Sequence, residues 1–363
     1  MKARTAKFLR AWVAGARGVR EVETTVRVRG EEREATLYLP PGKGDRPAPG
    51  WVVLHGLTVP GRRHVAMLRF VRSLAASGAV VLVPDVPAWR ELRLDVRAAR
   101  ETVEAGVLQL DGMPQVRPGG VGAIGFSFGA TQVLMASGDP AMRGHLKAVV
   151  GFGGYCDLGR MLRCLFTGRH EWQGNEQTLD PDPYGRWIVV GNYLTLLDEY
   201  RGMDRLTAAA LELAVEAGRR GEWAWGPHYD ALKDELSRGF TPDELRVWRT
   251  IAPKTDVPVD VEAAGELAAR FTAAALEHDP GLDPRPHLPH LHARIVLSHG
   301  RQDRLIPYTE TLRLMSMLPP HVHASATITG LFAHSSGAWL HPIHWFRETA
   351  TFVRLLDQAL YAV

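Results

Sequence analysis

At 363 residues the chain is longer than an ordinary domain, so one large α/β domain carrying an insertion, or two domains, is expected. A formal charge of +3, with Lys and Arg scattered rather than gathered, argues against nucleic acid or an anionic membrane as partner. Cys156 and Cys164 lie in a partly helical stretch, where eight residues correspond to roughly 12 Å, too far for a bridge; free thiols in a reducing, cytoplasmic compartment are the expectation.

The first twenty residues are basic and amphipathic: Lys2, Arg4, Lys7, Arg10, Arg17 and Arg20 precede any acid. They lack the continuous apolar centre of a signal peptide, and no later run approaches the ~18 apolar residues of a membrane span. A first helix is expected here. From Glu21 the period becomes two: Val22, Thr24, Val26 and Val28 alternate with polar residues, Gly30 turns the chain, and Ala35, Leu37 and Leu39 resume the alternation, which predicts an antiparallel hairpin. Beyond a Gly/Pro-rich connector, Trp51–Leu54 reads as a buried strand ending at His55-Gly56-Leu57. A helix over 65–77, the strand Val80–Val83 and a helical stretch over 93–109 follow. Strands alternating with helices predict a mostly parallel sheet covered on both faces.

The central stretch is Val121–Ala130. Apolar Val121–Ile124 predicts a strand, Gly125-Phe126-Ser127-Phe128-Gly129 a sharp turn, and 130–136 a helix. This is a G-x-S-x-G pattern in strand–turn–helix context. A serine held on such a turn needs small neighbours two residues to either side, because strand and helix backbones approach closely there. Leu146–Val150 is the next strand. From 155 to 289 the strand signal fades and helix signals dominate: Thr241-Pro242-Asp243-Glu244 is a capping box with proline at the first helical position, and 205–217 and 261–276 are rich in helix formers. Trp172, Trp187, Trp223, Trp225 and Trp248, half of the chain's ten tryptophans, lie here. This block is expected to be a helical cap inserted after the sixth strand, between core segments 1–154 and 290–363. The sheet pattern resumes at Ala293–Ser298, followed by His299-Gly300-Arg301-Gln302-Asp303; a helix, the strand Ala324–Thr329, His334 and a final helix complete the order.

A serine, an acid and a histidine thus each stand just past the carboxyl end of a strand, in the order Ser127, Asp303, His334, the edge at which open parallel sheets carry their catalytic groups. With these motifs in this order the chain resembles the α/β-hydrolases, nearest in style to their esterase, dienelactone-hydrolase-like and prolyl-oligopeptidase-like branches. The resemblance implies Ser127 as nucleophile, His334 as general base and then acid, and Asp303 as the residue orienting the imidazolium. It also implies an oxyanion hole from the backbone N–H groups of Phe128 and Leu57. The stretch at His55 lacks the extended His-Gly-Gly-Gly run of some relatives, and Asp157, past the preceding strand, is a rival acid. Asp85 reads as a loop or N-cap residue. His64, Trp223, Trp225 and Tyr229 are candidate substrate-pocket residues, with aromatic packing the alternative for the last three. The His287/His290/His292 group lacks a metal-ligand pattern, and neither metal nor cofactor is expected. The reading is a serine hydrolase cleaving a carboxylic ester of a small molecule. Its alternatives are an amidase or aminopeptidase, a non-catalytic ligand- or partner-binding relative, and perhydrolase- or lyase-like chemistry on the same triad. Nothing in the sequence indicates an oligomeric state.

Overall fold

The computed structural model describes residues 1–42, 46–221, 224–331 and 342–363. Helix α1 (Ala3–Ala14) precedes the hairpin β1 (Arg20–Val28) and β2 (Glu31–Leu39). Then come β3 (Gly50–Leu54), α2 (Val65–Ala76), β4 (Val80–Pro84), the short α3 (Pro87–Arg90), α4 (Val96–Asp111), β5 (Val121–Phe126), α5 (Phe128–Ala136) and β6 (Leu146–Phe152). Strands β9 (Arg294–Gly300) and β10 (Ala324–Thr329), with α12 (Thr309–Met317) between them and α13 (Pro342–Leu360) after, close the chain. The strands pair in the order β1-β2-β4-β3-β5-β6-β9-β10, antiparallel at β1–β2 and β2–β4 and parallel beyond.

Alternation along the central strands divides the core in two. Trp51, Val53, Ile124, Val150 and Val296 face α1, α2 and α13, burying Phe8, Val71, Leu74, Leu355 and Leu356. Val52, Leu54, Ala123, Val149 and Leu297 face the other way, onto α4 and α5. Because side chains in a strand alternate between faces, a strand buried on both faces needs apolar residues at every position, as Gly50–Leu54 and Val80–Pro84 have.

Between β6 and β9 the chain is helical: α6 (Leu158–Thr167), α7 (Pro183–Tyr193), α8 (Asp204–Arg220), α9 (His228–Leu236), α10 (Pro242–Ile251) and α11 (Val261–His278). Side chains cap four of these six: Asp157 for α6, Asp182 for α7, Asp260 for α11, and the full Thr241–Glu244 capping box for α10. The sequence gives no sign of one element, the two-stranded hairpin β7 (Arg169–Trp172) and β8 (Asn175–Thr178), whose largely polar residues have no apolar alternation. Cys156 and Cys164 are buried free thiols, and burial pushes Cys156 up to about 12, so it stays protonated and inert at neutral pH.

Glu104 on α4 lies within 3.7 Å of Arg100, yet burial and the nearby Asp139 carboxylate push it up to about 7. A carboxyl raised on folding costs stability as pH climbs from its unfolded value, about 4.3, through 7, because the native state then holds the proton more tightly than the unfolded chain. Since the side chain keeps 21% of its exposure, the cost is screened to about 1–2 kcal/mol. Glu104→Gln is therefore expected to raise the thermal midpoint at pH 8 and leave it nearly unchanged at pH 5, as followed by calorimetry at both pH values.

Candidate functional site

Ser127 joins β5 to α5 with φ 55° and ψ −128°, a conformation that a residue with a side chain rarely adopts. Its surroundings hold it there. The Ser127 N–H donates to the Phe152 carbonyl at the end of β6 (2.7 Å), and its own carbonyl accepts from Ala130 N–H (2.9 Å). The two flanking glycines are demanded by backbone contacts: a Cβ on Gly125 would lie 2.3 Å from the Gly129 carbonyl oxygen, and one on Gly129 would lie 2.5 Å from the His55 carbonyl oxygen. The strained turn is thus over-determined by packing, as such conformations must be to persist. It leaves Ser127 partly exposed, with Gly56 so close that a Cβ there would stand 3.8 Å from the Ser127 Oγ.

The structure therefore brings the His55-Gly56-Leu57 loop against the serine. Phe128 N–H is the first amide of α5, where the helix dipole favours negative charge. Leu57 N–H shares a rigid peptide plane with the Gly56 carbonyl, which accepts a 2.7 Å bond from His55 Nδ1. His55 Nε2 accepts from Val86 N–H (3.2 Å), which leaves the proton on Nδ1 for Gly56. His55 is thus a buried structural histidine, as its place at the strand end suggests. Asp85 caps no helix. Its carboxylate is buried, 3.3 Å from His55 Nε2, and pairs with Arg90 at 3.2 Å.

Asp303 follows β9 and is 3% exposed. Its Oδ1 accepts from Leu305 and Ile306 N–H, both at 2.9 Å, and its Oδ2 lies 3.4 Å from His299 Nε2. The fully buried His299 bridges the loop, with Nε2 donating to the Ile306 carbonyl and Nδ1 bonded to Thr311 Oγ1, both at 2.8 Å. Asp157 is occupied otherwise: Oδ1 caps α6 through Arg160 N–H (3.0 Å), and Oδ2 pairs with Arg285 at 2.7 Å. Its neighbour Glu310, buried and raised in pKa by that burial, accepts from both Cys156 and Asp157 N–H.

His334 and Trp223 lie outside the described residues. His64 is exposed at the start of α2, yet partial burial of its ring together with the nearby His55 lowers its pKa. Tyr229 is buried against Trp187 (ring centroids 6.0 Å) and His228 (4.2 Å), which is packing within the helical segment. Trp225 is partly buried, its Nε1 without an acceptor among the described residues. His292 and His321 bond to backbone carbonyls of 290 and 291, and no cluster of metal-ligating side chains occurs among the described residues.

The sequence reading misses α7 as a neighbour of this site. Its N-cap residue Asp182 donates its N–H to the Arg304 carbonyl (2.9 Å), beside Asp303, and the Tyr184 hydroxyl donates to the Leu57 carbonyl (3.2 Å). Asp182-Pro183 is a helix-start signature that marks α7, but nothing in it says where that helix lands.

No family model matches the sequence, and no curated protein matches it either. Solved structures do. The Pyrococcus horikoshii acylaminoacyl peptidase is 13% identical with a TM-score of 0.50, over 94% of this chain and 42% of that one. The fold is that of the α/β-hydrolases. Also similar are Est1E from Butyrivibrio proteoclasticus (13% identity, 93% and 98% of the two chains, TM-score 0.48) and brefeldin A esterase, a bacterial homologue of human hormone sensitive lipase (17%, 99% and 85%, 0.48). The chain spans about two fifths of the length of the peptidase. No helix among the described residues is long and apolar enough to cross a membrane.

In this α/β-hydrolase fold the elbow depends on backbone contact distances. Gly129→Ala is expected to abolish soluble expression or lower the thermal midpoint by more than 10 °C, on the order of a large core substitution, because the added Cβ meets an immobile carbonyl rather than a flexible side chain. Circular dichroism melting of the purified variant checks this.

Proposed function

We propose that the protein is a serine hydrolase cleaving a carboxylic ester through an acyl-enzyme intermediate. The observation carrying this reading is Ser127 itself: a non-glycine residue at positive φ on a strand–turn–helix elbow, abutted by the His55-Gly56-Leu57 loop. Backbone strain of this kind persists where position matters more than stability.

In this reading the chain divides into an α/β core, 1–154 and 290–363, and a cap, 155–289, over the carboxyl edge of the sheet. Ser127 Oγ attacks the ester carbonyl as His334 takes its proton, and Asp303 orients the imidazolium. The Leu57 and Phe128 amides stabilise the oxyanion that forms. The alkoxide leaves with the proton from His334, and water activated by the same histidine releases the acid. Asp303 is favoured as acid over Asp157 because its loop is tied by three local hydrogen bonds next to a buried histidine, whereas both Asp157 oxygens already serve a helix cap and an ion pair.

A fluorophosphonate probe followed by intact-mass analysis tests the reading. One adduct on the wild type and none on Ser127→Ala is expected; no adduct on folded wild type would favour a non-catalytic relative. Separate substitutions test the acid. Asp303→Asn is expected to lower kcat for a p-nitrophenyl ester about 10⁴-fold. Asp157→Asn is expected to keep most of the activity and lose about 1 kcal/mol of stability with the cap of α6. A loss of activity confined to Asp157→Asn would reverse the assignment.

A further inference from the structure

Both peptide planes that flank the Leu57 Cα are pinned. The plane before it, which carries the Leu57 N–H, is held through the Gly56 carbonyl by His55 Nδ1 at 2.7 Å. The plane after it is held through the Leu57 carbonyl by the Tyr184 hydroxyl at 3.2 Å. The first pin comes from the sheet domain, the second from α7 in the helical segment. Beyond these, the loop closes on itself through Gly61 N–H and the Thr58 carbonyl (3.0 Å).

The geometry points to Tyr184 as a positioning residue for the oxyanion loop: from α7, its hydroxyl fixes the Leu57 backbone and so the direction of the Leu57 N–H toward the reacting carbonyl. The inference rests on the serine-hydrolase reading above and adds a residue to it. An oxyanion donor works by being aimed before the charge arrives, so a backbone free to rock about Leu57 would lose part of that benefit without altering the groups that bind substrate.

Three further features support the assignment. Burial pushes the Tyr184 phenol well above its ordinary pKa, which keeps it a protonated donor throughout the working range. Helix α8 approaches this corner closely: a Cβ on Gly218 would stand 3.1 Å from Val59 Cγ2 and 3.5 Å from the Tyr184 hydroxyl, so the absence of a side chain there leaves room for the contact. The frame that carries Tyr184 is itself anchored at both ends. Asp182 N–H bonds to the acid loop, and Asn192 bonds to the Leu92 carbonyl (2.9 Å) and the Leu94 N–H (3.0 Å) in the stretch between α3 and α4.

The test is saturation kinetics of fluorophosphonate labelling on wild type and Tyr184→Phe, which keeps the ring and removes only the hydroxyl. The maximal labelling rate is expected to fall about 10-fold, an order below the ~10²–10³ lost when an oxyanion donor itself is removed, with the half-saturating probe concentration unchanged. The pH dependence of labelling is expected to keep its midpoint, since the base and acid are untouched. Gly218→Val, which crowds the hydroxyl and Val59 from α8, is expected to give the same split and serves where Tyr184→Phe does not fold. A folded variant that labels at the wild-type rate, or one in which only the half-saturating concentration or the thermal midpoint moves, overturns the positioning role and leaves the hydrolase reading standing. Absence of labelling in the wild type overturns both.

Discussion

The contact on which the site depends is backbone against backbone: the Gly129 Cα beneath the His55 carbonyl, and the Gly125 Cα against the Gly129 carbonyl. There β3, β5 and the first turn of α5 meet with no side chain between them. The closeness forces Ser127 into its positive φ, and it also sets the His55-Gly56-Leu57 loop beside the serine. Ser127 and the Leu57 loop are thereby fixed by one piece of packing. The turn's strain is offset by the cores on either side of the sheet, where β3 and β5 are buried nearly throughout.

Around that contact, buried histidines serve as loop braces. His55 and His299 each sit at the carboxyl end of a strand, each fully enclosed, and each uses one ring nitrogen to donate to a carbonyl of the adjacent loop. An imidazole suits the task because it offers a donor and an acceptor about 2 Å apart on a rigid ring, so it ties two backbone or hydroxyl groups at once. The helical segment then adds its own ties. Through α7 it reaches the Leu57 loop, the Asp303 loop and the stretch between α3 and α4, which makes it part of the same scaffold rather than an appendage.

Much of this was legible in the residues. Period-two alternation marked β1 and β2, continuous apolar runs marked the central strands, and the Thr241–Glu244 box marked the start of α10, because each of these patterns is local. Ser127 and Asp303 stood out for the same reason: a glycine spacing and a loop motif record constraints imposed within a few residues. Asp85 stands in a loop, one of its two expected places, but a carboxylate after a strand looks alike whether it caps a helix or pairs with Arg90, and only the partner tells them apart. The β7–β8 hairpin escaped because its residues are polar except Trp172, so no alternation announces it.

The sequence by itself determined the order of elements, the elbow and the strand ends at which Ser127 and Asp303 stand, since hydrophobic period and turn chemistry act between near neighbours. Tertiary structure alone decided what those residues touch. Asp157 became a helix cap paired with Arg285, 128 residues away, and Tyr184 met Leu57 across 127 residues. Contacts of such separation depend on how whole helices settle on the sheet, through ridge, groove and close backbone approach, and no local pattern encodes that outcome.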